Sequence, residues 1–113
     1  MIDEETFRKL HMAMGEDDPN AMASLIQEYL GELPQLLEEL HQAVAQDDSE
    51  KTRWVSHSMK SSSMLFGAIR LADLCEMIEI DALNEGLPRA PDLIAQAEIE
   101  FKAVQSALEL KLR

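Results

Sequence analysis

Residues 53–70 place a histidine beside cations on a segment with helical spacing. They read Arg-Trp-Val-Ser-His-Ser-Met-Lys-Ser-Ser-Ser-Met-Leu-Phe-Gly-Ala-Ile-Arg. At about 100° per residue, Val55, Met59 and Phe66 share one face with Ser62, and His57 points away from it. Histidine supplies a neutral nitrogen nucleophile near pH 7. The pattern is typical either of a functional histidine or of a solvated surface histidine.

The side chains next to His57 on that outward face are cationic, small or flexible. Arg53 lies four residues before the histidine, and Lys60 lies three residues after it. Residues at these separations are neighbours on a helix surface. Ser61 and Met64 fall on the same side.

Positive charge is concentrated around this histidine. The chain carries a net charge of −12, which argues against binding nucleic acid through its phosphates. Residues 49–70 nevertheless contain Lys51, Arg53, Lys60 and Arg70 against the single Glu50, a local charge of +3. Such a region favours an anion at the histidine. Chance clustering is the alternative.

Other side chains that could do chemistry have simpler interpretations. No base is spaced to activate the serines at 61–63, and Cys75 falls on an apolar stripe that predicts packing. His11 and His41 have no second histidine or cysteine at ligand spacing, so we expect no metal site. No glycine-rich phosphate loop is present, so the chain is not expected to be a kinase by itself. Most methionines of the helices fit the spacing of the core, and Met64 is the exception, because it lies on the histidine face. The methionines concerned are Met12, Met14, Met22, Met59, Met64 and Met77.

Composition favours a single all-α domain over residues 1–113. The 113 residues are enough to bury about two thirds of the unfolded surface. Four glycines and four prolines leave little room for the turns of a β-protein. One cysteine excludes a disulfide within the monomer and suits a reducing compartment. No apolar run approaches a membrane span, and the acidic N-terminus does not resemble a signal peptide, so we expect a cytoplasmic protein.

Apolar spacing predicts five helices joined by short connections, and hence an antiparallel bundle. Asp3, Asp18 before Pro19, and the Asp-x-x-Glu pattern that begins at Asp47 are start signals for the first three helices. Pro34 interrupts the second helix, but the stripe keeps phase, which favours one bent helix over two. The predicted ranges are 3–14, 19–46, 49–66, 68–84, and a last helix from residue 91.

Residues 57–79 resemble the histidine-containing phosphotransfer (HPt) domain. The family pattern is roughly His-x-φ-Lys-Gly-Ser/Ala-Ser/Ala-x-x-φ-Gly, followed by an apolar stripe, a small residue or cysteine, and a glutamate or glutamine. With the helices on either side, the resemblance extends over essentially the whole chain. It implies an antiparallel up-down-up-down four-helix bundle with a short additional N-terminal helix. The matching positions are His57, Met59, Lys60, Ser62, Ser63, Phe66, Gly67, Ala68, Leu71, Cys75 and Glu79.

The resemblance also implies roles. His57 would accept a phosphoryl group on Nε2, Lys60 would stabilise it with help from Arg53, and Glu79 would orient the imidazole through the other ring nitrogen. Two positions depart from the pattern. Ser61 stands where a glycine is usual, and Met64 is bulkier than in many members; these two are the neighbours of the site.

The partners implied are response-regulator receiver domains, including that of a hybrid histidine kinase. One would donate the phosphoryl group from an aspartate and another would accept it, each supplying its own Mg²⁺. The chain itself would be a monomeric phosphohistidine carrier without a cofactor, neither an enzyme nor a ligand of nucleic acid or membrane. The docking surface would be apolar. Its candidates are Phe7, Leu10, Met14, Leu25 and Met64, and any of the first four could instead be core.

Three other interpretations stay open. His-Ser-Met-Lys would also suit the phosphotransfer domain of a chemotaxis kinase, although the end of the chain at Arg113 favours a stand-alone or excised domain. The acidic surface and Ser61 would suit a helical adaptor that binds receivers and transfers nothing. The dimerising domain of a sensor kinase usually has an acidic residue after its histidine, and Ser58 does not fit.

Overall fold

The computed structural model describes residues 2–15 and 17–113. It contains five helices and no strand over these residues, in agreement with the predicted all-α class. Pro34 lies inside the second helix, which is continuous as expected. The helices are α1 (Glu4–Met14), α2 (Pro19–Ala45), α3 (Ser49–Leu65), α4 (Ile69–Asp81) and α5 (Ala90–Lys111).

Helices α2 to α5 form the bundle, and α1 packs across α2 and α3. Each bundle helix packs on two others, so that α3 contacts α2 and α4 while α5 occupies the opposite corner. The short connections reverse the chain between successive helices. The predicted stripes of α4 and α5 are buried, and the bundle forms one main core. The largest fully buried side chains are Phe66, Ile26, Leu33, Leu40, Met59, Leu71, Ile78, Leu87, Leu93, Ile94, Leu108 and Val104.

Aspartate side chains cap the first three helices. Asp3 accepts from the backbone N–H of Thr6, and Asp18 accepts from that of Ala21, as predicted. The third cap is displaced from the prediction. Asp48, not Asp47, accepts from the N–H of Lys51 at 3.1 Å, because Asp47 adopts a positive φ of 55° in the turn that ends α2.

Helix α4 ends three residues earlier than predicted. It ends at Asp81, whose side chain is buried and accepts a 2.9 Å hydrogen bond from the backbone N–H of Arg89. This carboxylate fixes the connection of residues 82–89 against the bundle. A buried aspartate stop cannot be recognised from apolar spacing, which continues through Ala82.

Gly67 lies at a tight corner between α3 and α4. Its φ is 84°, and its carbonyl accepts a 2.7 Å hydrogen bond from the N–H of Asp3. A Cβ at this position would come within 2.7 Å of the Asp3 carbonyl oxygen. The glycine thus permits both the turn and the docking of the start of α1 beside α3.

Ser63, rather than Ser62, is the buried serine at the end of α3. Its hydroxyl forms a 2.7 Å hydrogen bond with the Tyr29 hydroxyl of α2. Ser62 is half-buried and donates back to carbonyls of its own helix. Helical spacing predicted Ser62 on the buried face, one position before the serine that is buried. The face of α3 that packs on α2 and α4 is wider than its apolar residues alone indicate.

The prediction that most methionines are core is wrong for two of them. Met22 and Met59 are buried and Met14 is partly buried, but Met12 is 53% and Met77 is 37% exposed. Among the described residues, no helix is long and apolar enough to cross a membrane.

Candidate functional site

His57 lies in the middle of α3, on the side away from the core, with 58% of its side chain exposed. The buried Val55 and Met59 on either side fix this orientation, because they turn the opposite face of the helix inward. The imidazole does not hang freely in solvent. Its Nδ1 lies 2.9 Å from Oε2 of Glu79 on α4.

Glu79 links His57 to Lys60. While Oε2 faces the imidazole, Oε1 accepts a 2.9 Å hydrogen bond from Nζ of Lys60. Partial burial on its own would raise the pKa of Glu79, but the hydrogen bonds from Lys60 and His57 outweigh burial and hold this pKa below its usual value. The hydrogen bond to Glu79 raises the pKa of Lys60. Glu79 is therefore ionised near neutral pH, and Lys60 is its counter-ion.

An ionised carboxylate beside Nδ1 determines the tautomer of a neutral imidazole. Because Glu79 can only accept, Nδ1 must carry the proton and donate it. The lone pair is then on Nε2, which makes no hydrogen bond with any described residue of the chain. This arrangement leaves a nucleophilic nitrogen available at an exposed position.

A shallow cleft of about 190 Å³ opens beside the imidazole. Arg53 lines it, as its spacing from His57 led us to expect, and no carboxylate in the described part of the chain pairs with this guanidinium. The other residues of the cleft are Trp54, Ser58 and Glu79. A small anion in this cleft would meet the imidazole, the guanidinium of Arg53 and the carboxylate of Glu79, whose charge Lys60 offsets.

Trp54 is the residue that the sequence interpretation missed. It precedes His57 by three residues and is 69% exposed. Two signals could have identified it. It is the only tryptophan of the chain, and its spacing puts it on the outward face of α3 with the histidine.

The two neighbours singled out by their departure from the family pattern lie further along α3. Ser61 is exposed and small, so it leaves the imidazole accessible. Met64 is 53% exposed, but it lines a separate hollow with Lys60 and Ile69 rather than the cleft beside His57. Met64 therefore does not cover the imidazole cleft.

The candidate docking residues of α1 and α2 are buried or partly buried. Phe7 is only 7% exposed and belongs to the core, because α1 lies across the end of the bundle. It offers almost no area to a partner. Leu10, Met14 and Leu25 are partly buried against the same core.

Cys75 is fully buried in the core. Burial is the main cause that raises the pKa of its thiol to about 12, so the thiol stays protonated and unreactive near pH 7. His41 lies away from the site and contacts Glu98 at 2.8 Å. No group of three or more potential metal ligands occurs within residues 2–15 and 17–113.

Comparison with known proteins gives two matches and one negative result. A family model described as the Hpt domain matches residues 24–108. The crystal structure of histidine-containing phosphotransfer protein B from Pseudomonas aeruginosa PAO1 superposes with a TM-score of 0.88. It is 30% identical in sequence, and the match covers 98% of this chain and 93% of that chain. No curated protein matches the chain.

Proposed function

The chain belongs to the Hpt domain family, and from this membership we propose that His57 is the residue through which it relays a phosphoryl group. As a member of the family, the protein is a histidine phosphotransfer intermediate of phosphorelays. The family implies receiver domains of response regulators as its partners. The observation that supports His57 is its contact with Glu79, which accepts a hydrogen bond from Nδ1–H and so leaves the lone pair on Nε2.

In the proposed transfer, Nε2 attacks the phosphorus of an aspartyl phosphate on a receiver domain. The N–P bond forms as the bond from phosphorus to the aspartate oxygen breaks, and the aspartate leaves as a carboxylate. Nδ1 keeps its proton, and the ring takes on positive charge that the Glu79 carboxylate stabilises. The reverse sequence on a second receiver returns the histidine to its neutral form.

The two cations of the site differ in their surroundings and therefore in how each could contact a phosphoryl group. Lys60 is held on Glu79 and keeps that carboxylate ionised, and Arg53 lies free beside the cleft. Either can stabilise the phosphoryl oxygens, Arg53 directly and Lys60 after exchanging partners. Mg²⁺ would be bound by the partner receiver and not by this chain.

We further propose that the chain acts as one monomeric domain in the cytoplasm and catalyses no reaction by itself. The phosphoryl group would come from a receiver, for example that of a hybrid histidine kinase. The small Ser61 and the exposed imidazole suit such an exchange, because the partner must bring its aspartate to Nε2 directly.

Transfer from a phosphorylated receiver domain tests the role of His57. The receiver is phosphorylated with acetyl phosphate, freed of excess donor and mixed with the wild-type chain or with His57→Gln. We expect an acid-labile label on the wild type and none on the variant. A label that persists on His57→Gln would exclude His57 as acceptor. Stable receiver binding without any label would instead favour an adaptor that transfers nothing.

A further inference from the structure

Trp54 presents an apolar side chain that the fold itself does not use. Trp54 is 69% exposed, more than any other large hydrophobic side chain of α3, and it stands next to the buried Val55. Exposed tryptophans are uncommon in monomers, and they are enriched at the energetic centres of protein interfaces. The packing of α3 gives no reason for an indole at this position.

The position of Trp54 connects it with the reacting nitrogen. It is one helical turn from His57, and both line the same cleft. The opposite side of Trp54 borders a second hollow with Glu39 and Lys51. The indole thus forms a ridge between the imidazole cleft and the groove that separates α2 from α3.

Any domain that brings an aspartyl phosphate to Nε2 must cover this cleft. The N–P bond requires approach to within bonding distance, and Trp54 is a wall of the space that the partner enters. An indole covered in this way can bury on the order of 150–250 Å² of largely apolar area. The exposed side chain of Trp54 is therefore continuous with the surface around His57 that a receiver domain must contact in the proposed function.

We propose that Trp54 is a specificity-determining contact for the receiver domain that docks over His57. This inference rests on the proposed function. The occupant is a receiver domain with an apolar surface beside its phosphorylated aspartate. Trp54 acts in docking and not in the bond exchange, because the indole has no group that could accept or donate the phosphoryl.

Transfer kinetics at varied receiver concentration separate docking from chemistry. We expect Trp54→Ala to raise the receiver concentration at half-maximal rate about tenfold and to leave the maximal rate within about twofold. Trp54→Phe, which keeps an aromatic ring, should recover much of the loss. Ile99→Ala is the matched control, because Ile99 is 72% exposed on α5, the helix at the corner opposite α3, and its removal should change neither value.

The indole also reports docking directly, since it is the only tryptophan of the chain. Titration with a receiver domain that lacks tryptophan should shift its emission to shorter wavelength in a saturable way. Unchanged kinetics in Trp54→Ala, with wild-type transfer intact, would overturn the inference while leaving the proposed function standing. A dimer that dissociates on Trp54→Ala, detected by sedimentation, would assign the indole to self-association and also overturn it. Loss of transfer in His57→Gln is the separate test of the relay itself.

Discussion

Oε2 of Glu79 lies 2.9 Å from Nδ1 of His57, and this contact joins two helices at the reacting ring. Glu79 comes from α4, so the imidazole is positioned by the packing of α3 on α4 and not by α3 alone. The carboxylate holds the proton on Nδ1 and leaves Nε2 open. One carboxylate thereby sets both the orientation and the tautomer of the histidine.

Removal of the Glu79 charge should slow transfer without preventing it. Glu79→Gln keeps a hydrogen-bond acceptor but loses the charge that stabilises the ring in the transition state. Charge-assisted hydrogen bonds are about twice as strong as neutral ones, so we expect a decrease of about tenfold. Glu79→Ala should be slower still. The measurement is the maximal transfer rate at saturating receiver.

The control for this prediction is Asp73→Asn, which removes an exposed carboxylate from the same helix where no hydrogen bond to His57 exists. It should transfer at the wild-type rate. Equal rates for the wild type and Glu79→Ala would show that the histidine needs no carboxylate partner.

The ion pair between Glu79 and Lys60 should stabilise the fold only within a window of pH. The pKa of Glu79 is lowered from 4.5 in the folded chain. The ionised carboxylate therefore contributes to the free energy of unfolding above pH 4.5, and this contribution is lost as the pH falls through the pKa of the folded state. The pKa of Lys60 is raised from 10.5 in the folded chain. The charged amine therefore contributes to the free energy of unfolding below pH 10.5, and this contribution is lost as the pH rises through the pKa of the folded state.

Urea unfolding of wild type and Glu79→Gln measures this window. At pH 7 the wild type should be the more stable, and the difference in free energy of unfolding should shrink as the pH falls below 4.5. A difference that stays constant from about pH 7 to pH 3 would contradict the ionised pair.

Gly67 should tolerate substitution less well than Gly86. Both have a positive φ, 84° and 82° respectively, so alanine at either position should cost about 1–2 kcal/mol of stability through the backbone. Only at Gly67 would the added Cβ meet the Asp3 carbonyl, whereas nothing lies within 4 Å at Gly86. Thermal unfolding should show Gly67→Ala as clearly the less stable variant. Equal melting temperatures would refute this close contact of α1.

The buried hydrogen bond between Tyr29 and Ser63 should stabilise the packing of α2 on α3. Tyr29→Phe leaves the serine hydroxyl without its partner, and Ser63→Ala leaves the phenol without its own. Each should cost about 1–3 kcal/mol. The double variant should lose less than the sum of the two, since neither group is then left unsatisfied. Strict additivity in denaturant unfolding would argue against this hydrogen bond.

Much of the bundle follows from local signals. Apolar spacing in α2, α4 and α5 defines buried faces that the structure retains, and Asp3 and Asp18 cap their helices as their positions predict. Asp81 was not predictable, because its role depends on the N–H of Arg89 eight residues away. Helical spacing predicts which serine of α3 faces the core only to within one residue, and so it does not distinguish Ser62 from Ser63.

Less of the site than of the fold could be predicted from local sequence patterns. His57, Lys60 and Arg53 share one helix, so their proximity follows from spacing. Glu79 lies on the next helix, and only the family resemblance indicated it. The spacing of Trp54 places it on the outward face with His57, but a tryptophan is usually a core residue, and the packing of α3 shows that this one is 69% exposed.

The position of the phosphorus on the phosphorylated chain tests the relay through Nε2 of His57 most directly. Chain labelled with ¹⁵N is phosphorylated by a receiver domain, and phosphorus–nitrogen coupling is measured by NMR under alkaline conditions that preserve phosphohistidine. We expect one phosphoryl group, coupled to Nε2 of His57 and not to Nδ1. Coupling to Nδ1, or a phosphoryl group on any other residue, would contradict this relay.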